Sequence, residues 1–210
     1  MIIYEDNEIV VCIKPKGLIS QEGAPGTQSM VAVLGEKCAC QIYPVHRLDK
    51  DVSGVMVYAK TQKAAGVLSK QVSDRTMKKN YLAVTAEGDI AAEGTMEDLL
   101  FFDKQRNKSF IARRERKGVK KAILHYRLVK TVNGRSLYSV RLETGRTHQI
   151  RVQFASRKMP LVGDRKYGSK ENCDIGLYST SISFIHPLSG EAMLFTSKPC
   201  EGAFESFKDI

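Results

Sequence analysis

Residues Lys121–Leu142 read KAILHYRLVKTVNGRSLYSVRL. The runs Lys121–Val129 and Leu137–Leu142 flank Asn133-Gly134, a dipeptide that tolerates the left-handed backbone of a tight hairpin turn. This is the strongest short-range hairpin signal in the chain, and it sets the class. Before it, Glu8–Lys14 reads as a strand closed by the turn Lys14-Pro15-Lys16-Gly17, and Gln28–Glu36 as a short helix. Gly54–Lys60 is another strand, followed by a helix over Gln62–Val72 with Ala65, Leu68 and Val72 on one face, then a strand at Asn80–Thr85. After the hairpin comes a helix over His148–Ser156 with Thr147 as its N-cap, then an alternating strand through Tyr178, Thr180, Ile182 and Phe184, and a last strand at Glu191–Thr196. Strands outnumber helices and hairpin signals outnumber βαβ spacings. The expectation is α+β with a mixed, mainly antiparallel sheet flanked by helices and loops. Neither a repeat nor a linker interrupts residues 1–210, which read as one domain.

The chain has 33 Lys and Arg against 23 Asp and Glu, a formal charge of +10. Residues 1–50 carry five basic and six acidic side chains, net −1, which leaves +11 on residues 51–210. Such a distribution favours a polyanionic partner, nucleic acid first, against the plainer reading of a basic, soluble protein. The densest part is Asp103–Lys121, with nine basic residues and the acids Asp103 and Glu115, and with Phe110 and Ile111 among them. It reads as a projecting hairpin or mobile loop whose Arg113, Arg114 and Arg116 either track phosphates or form a solvated face. No apolar run approaches the ~20 residues of a membrane span, and acids occupy the N-terminus where a secretory signal carries Lys or Arg, so the expectation is a cytoplasmic protein. Five scattered cysteines suit free thiols better than disulfides, and Cys38 and Cys40 lack the second pair of a zinc site.

Phosphate-loop, dinucleotide-binding, zinc-deaminase and HExxH signatures are all absent, which leaves metal-free chemistry or none. Two stretches stand out. In Val45–Gly54, Asp49 lies among His46, Arg47 and Lys50 just before a strand. Those charges favour an ionised carboxylate that serves as nucleophile, base or stabiliser of positive charge; from spacing alone a surface ion pair is the plainer reading. In Leu142–Arg151, Arg146, His148 and Arg151 gather at the start of a helix, where cations oppose the helix dipole. An anion among them explains the cluster, either a phosphate or a carboxylate such as Asp49; alternatively the arginines reach out to water. Tyr81, in Lys78–Val84, is by default a strand aromatic facing the core.

At these residues the chain resembles the RluA-type pseudouridine synthases. His46–Gly54 is similar to the family's HRLDxxTSG motif, Lys79-Asn80-Tyr81 with Ala83 and Val84 to KxYxAxV, and Thr144–Val152 to TGRxHQIRVH. Further matches are Ile2–Gly17 with Lys14-Pro15, Gly163-Asp164 with Tyr167-Gly168, and His186-Pro187. Val52 stands where the family usually has Thr, and Gln153 where His is common. The resemblance implies isomerisation of uridine in ribosomal or transfer RNA by a monomeric catalytic domain, without metal or cofactor. It implies Asp49 as the initiating carboxylate, either attacking the nucleoside or abstracting a sugar proton. It further implies Tyr81 stacked on the target base and Arg151 as the basic partner of the aspartate. Arg47 would fill the space of the displaced base, with Arg146, His148 and Gln149 lining the site. Because many relatives carry a separate N-terminal RNA-binding domain, target choice is expected to fall to loops such as Asp103–Lys121. The rival expectation is an inactive RNA-binding or ribosome-assembly protein of the same fold.

Overall fold

The computed structural model describes residues 1–24, 26–86 and 88–208. In chain order the elements are β1 (Ile2–Glu5), β2 (Ile9–Lys14), α1 (Met30–Cys38), β3 (Tyr43–Pro44), β4 (Ser53–Ala59), α2 (Gln62–Ser73), β5 (Lys78–Ala86), β6 (Glu93–Asp103), β7 (Lys108–Ala112), β8 (Val119–Val132), β9 (Arg135–Leu142), α3 (Gln149–Ser156), β10 (Leu177–Ile185) and β11 (Ala192–Thr196). Short 3-10 turns lie at Arg165–Tyr167 and Gly202–Phe207. The class is α+β, with mostly antiparallel strands and few helices, as the hairpin-rich sequence predicts. The chain divides into two compact units, one of residues 1–79 with 179–198 and one of residues 80–178 with 199–210. Among the described residues no helix is long and apolar enough to cross a membrane.

In the first unit the strand order is β1-β2-β4-β10, with β3 on β4 and β11 on β10. Ile9, Val11, Val55, Val57 and Ala59 bury one face of β2 and β4 together with Ala64 and Leu68 of α2. Val10, Cys12, Met56 and Tyr58 on the other face are equally buried, which is why both strands read as unbroken apolar runs. The Tyr58 hydroxyl donates to the carbonyl of Ser20 at 2.9 Å, drawing the segment after β2 over that second face. Thr61 caps α2 and Ser29 caps α1, each accepting a backbone N–H three residues on at 3.1 Å. The Ser29 cap starts α1 two residues later than the sequence suggests. Gly54 has φ 127, and a Cβ there would collide with the backbone of Ser179, so only glycine suits the start of β4.

In the second unit the order is β5-β9-β8-β6-β7, each strand antiparallel to its neighbours. Asn133 and Gly134 take φ 51 and 71 in the β8–β9 turn, the geometry the dipeptide predicts. Helix α3 covers one face of this sheet: Val152 packs on Leu100 and Ala122, and the Phe154 ring lies 5.4 Å from that of Tyr138. Val84, Leu137, Val162 and Tyr178 gather around Phe204 and Phe207 in a second cluster.

Two expectations are corrected here. Residues 103–121 are not a free loop, because β7 returns on β6 and β8 follows on β6's other side, so backbone ladders take up about half of the segment. The hairpin reading holds; Lys104–Asn107 and Arg113–Gly118 lie outside strands, and all ten are exposed. Thr147 does not cap α3: the N-cap is His148, in the left-handed region at φ 54 and ψ 25, with no side-chain cap hydrogen bond. Gln149 reaches back instead, its Oε1 accepting the N–H of Arg146 at 3.0 Å.

Candidate active site and nucleic-acid surface

In the first unit Asp49 is half-buried on the loop that enters β4, and the backbone on both sides of it is pinned from elsewhere in the chain. On one side, Ser20 accepts the N–H of Leu48 at 3.0 Å and donates to the Leu48 carbonyl at 2.8 Å, one hydroxyl serving as a miniature strand partner. On the other, the carbonyl of Lys50 accepts the N–H of Gly17 at 2.9 Å and the Nζ of Lys14 at 3.0 Å. Lys14 is fully buried and also donates to the carbonyls of Pro15 and Leu18 at 2.8 and 2.7 Å. Burial pushes its pKa down to about 8, against the pull of the Asp51 and Asp49 charges.

The charges around Asp49 therefore differ from the local reading. The Nε2 of His46 accepts the N–H of Val57 at 3.1 Å, which puts the proton on a buried Nδ1 that has no hydrogen-bond partner. Burial, with the nearby charge of Lys79, drives the His46 pKa down to about 3, so this ring is neutral and lends the loop no charge. Arg47 and Lys50 are exposed. The missed cation is Lys14, 36 residues from Lys50 in the chain and hidden in the sequence as the last residue of a strand before a turn.

In the second unit Tyr81 is buried on β5 opposite Val140 of β9. Arg151, on the first turn of α3, is buried, and its Nε and Nη2 meet the two oxygens of buried Asp164 at 2.7 and 2.8 Å. That carboxylate is an anion the helix-start cluster called for, and it comes from a segment the sequence marks only by Gly163-Asp164. The Arg151 guanidinium also lies 5.3 Å from the centre of the Tyr167 ring. The Tyr167 hydroxyl accepts the Ser109 N–H at 2.8 Å and lies 3.0 Å from Nδ1 of His148, tying β7 to the start of α3. Gln149 is buried, with its carboxamide committed to Thr144, Arg146 and the carbonyl of Ile123. Arg146 is half-buried, and its Nε donates to the Lys121 carbonyl at 2.9 Å. Arg113, Arg114 and Arg116 are exposed between β7 and β8. All five cysteines are free thiols, and among the described residues no group of three or more His, Cys, Asp or Glu could hold a metal ion.

A model of the RNA pseudouridylate synthase family matches residues 8–156. The chain belongs to this family. The matched span takes in the Asp49 loop, Tyr81 on β5 and the whole of α3. The chain is 36% identical to the ribosomal large subunit pseudouridine synthase D of Xanthomonas campestris, over 90% of its own length and 63% of that relative's. It is 34% identical to the uncharacterized RNA pseudouridine synthase YhcT of Bacillus subtilis, over 92% of its length and 66% of the relative's. It thus spans a little under two thirds of these curated relatives. Among solved structures, the human RNA pseudouridylate synthase domain containing 4 shares the fold with a TM-score of 0.77 at 20% identity, covering 94% of this chain and 87% of that one. Three residues that hold the candidate-site segments were not singled out by the sequence: Lys14, Ser20 and Asp164. Lys14 and Asp164 had a signal, since both fall in family-like motifs; Ser20 had none.

Proposed function

We propose that this chain isomerises specific uridines of ribosomal or transfer RNA to pseudouridine, with Asp49 as the initiating carboxylate. The N1–C1′ bond breaks, the uracil turns, and C5 bonds to C1′; the proton leaving C5 is balanced by one gained at N1, so no co-reactant is consumed. Tyr81 stacks on the base and Arg151 is the basic residue of the set, while Arg47 takes the space vacated by the flipped nucleotide. Arg146, His148 and Gln149 belong to the wall of the site. Extrusion of the base costs a few kcal/mol, which phosphate contacts along Arg113, Arg114 and Arg116 offset. The reading is of one cytoplasmic, monomeric catalytic domain that uses no metal or cofactor.

The observation that carries the reading is the treatment of Asp49: a half-buried carboxylate whose neighbours Leu48 and Lys50 are both clamped by buried side chains. A surface ion pair needs no such support, whereas a carboxylate that must meet one atom of a nucleoside does. The relatives' names, both pseudouridine synthases, support the same reaction. Carbodiimide mapping of pseudouridine in total RNA, from cells with and without the gene, tests the proposal. Sites lost on deletion should return with the wild-type gene and not with Asp49→Ala. Return of those sites with Asp49→Ala would refute the role of Asp49, and no lost site would favour a passive RNA binder.

A further inference from the structure

The sheet of the second unit has two unlike faces at the β6–β7 end. Leu100 and Phe102 point towards α3, where Leu100 packs on Val152 and the Phe102 ring meets that of His148 edge-on at 6.3 Å. Phe101 and Phe110 lie on the opposite face, directly across from each other in the antiparallel register. Side chains in that relation have Cβ atoms about 5 Å apart, so both rings stand on one face of the ladder, within the reach of neighbouring bases of one strand. Both are half-buried, and cations lie over them. The Arg116 guanidinium is 4.9 Å from the centre of the Phe101 ring, and Lys108 Nζ sits between two rings, 5.7 Å from the centre of Phe110 and 4.9 Å from that of Tyr167. Around the pair, residues 103–121 hold nine basic and two acidic side chains, net +7.

We propose that Phe101 and Phe110 are a stacking platform for unpaired bases of the RNA, with Arg116 and Lys108 moving from ring to phosphate as the strand arrives. This deepens the RNA-modifying reading and rests on it. A cation over an exposed ring is worth only about fivefold in affinity, whereas a stacked base is worth about fivefold to a hundredfold. The exchange is therefore favourable, and it frees two cations for the anionic backbone beside the base. Paired aromatics on a sheet surface suit single strands and loops, whose bases can splay out, and offer nothing to a closed duplex. An acidic peptide would match the charge and leave both rings unused. The platform thus separates two contributions: the arginines set how strongly RNA is held, and the rings set that the held segment is unpaired.

The test is equilibrium binding in the Asp49→Ala background, where turnover plays no part, using a labelled stem–loop RNA and the same stem as a blunt duplex. The double variant Phe101→Leu/Phe110→Leu keeps apolar volume and loses the stack; Phe101→Tyr/Phe110→Tyr keeps both. The leucine pair should bind the stem–loop at least about tenfold more weakly, with duplex affinity and salt slope unchanged, while the tyrosine pair stays within about twofold of the parent. Stem–loop affinity unchanged in the leucine pair, or equal losses for stem–loop and duplex, would overturn the proposal. So would polyglutamate competing as well as unlabelled stem–loop. If the wild-type chain made no pseudouridine and yet the leucine pair lost loop binding selectively, the isomerase reading would fail and the platform would stand.

Discussion

The first unit buries Lys14 and the second buries Arg151, and the two cations are compensated in opposite ways. Lys14 Nζ donates to three neutral carbonyls, with the acids Asp49 and Asp51 acting on it only through their charge. Arg151 meets a carboxylate directly, two nitrogens on two oxygens of Asp164. Carbonyl dipoles offset less of the cost of desolvation than a paired carboxylate, so Lys14 gives up its proton more easily than an ordinary lysine, whereas a guanidinium does not titrate at all. The first arrangement shapes a loop and the second locks a helix start. A lysine can reach three carbonyls from one point, and a planar guanidinium matches a carboxylate edge.

The sharpest way to break this comparison is Asp164→Ala. It strips a buried guanidinium of the carboxylate that grips it and is expected to cost about 3–5 kcal/mol of stability by chemical denaturation. A cost below about 1 kcal/mol would mean that Arg151 is not locked as described. Lys14→Met should cost less, about 2 kcal/mol, because three carbonyls lose a donor at about 1 kcal/mol each while the burial of a charge is relieved.

The pH dependence tells the two cations apart. In the folded chain the pKa of Lys14 is about 8, below its ordinary 10.5. Across that window the unfolded chain holds a proton that the folded chain has released, so stability relative to Lys14→Met should rise with pH. Denaturation of both proteins at about pH 7 and about pH 10 checks the sign, and an unchanged gap would contradict the burial of the charged amine. The smallest effect on stability, under about 0.5 kcal/mol, is expected from charge reversal at exposed Arg113, Arg114 and Arg116. Their effect should instead appear in RNA binding, as a salt slope lower by roughly one unit per lost phosphate contact.

The same contrast explains what was legible in the sequence. Local patterns carried the strands of the β8–β9 hairpin, the Asn133-Gly134 turn and helix α2, because each depends on neighbours within a few residues. The start of α3 did not follow local preference: His148 takes a left-handed conformation that few residues adopt without glycine, and Gln149 replaces the expected cap. Nor could spacing show that Lys14 runs under the Asp49 loop, that Asp164 answers Arg151 from 13 residues on, or that Phe101 faces Phe110. Those pairings are set by register and long-range packing. His46 illustrates the cost of reading charge from sequence neighbours, since burial leaves it neutral beside the loop it seemed to charge.

Tritium release from RNA labelled at C5 of uridine tests the central claim most directly, because that hydrogen leaves when C5 bonds to C1′. The purified wild-type chain should release tritium from its RNA substrate, and Asp49→Ala should bind the same RNA and release none. Release by Asp49→Ala at the wild-type rate would contradict the account.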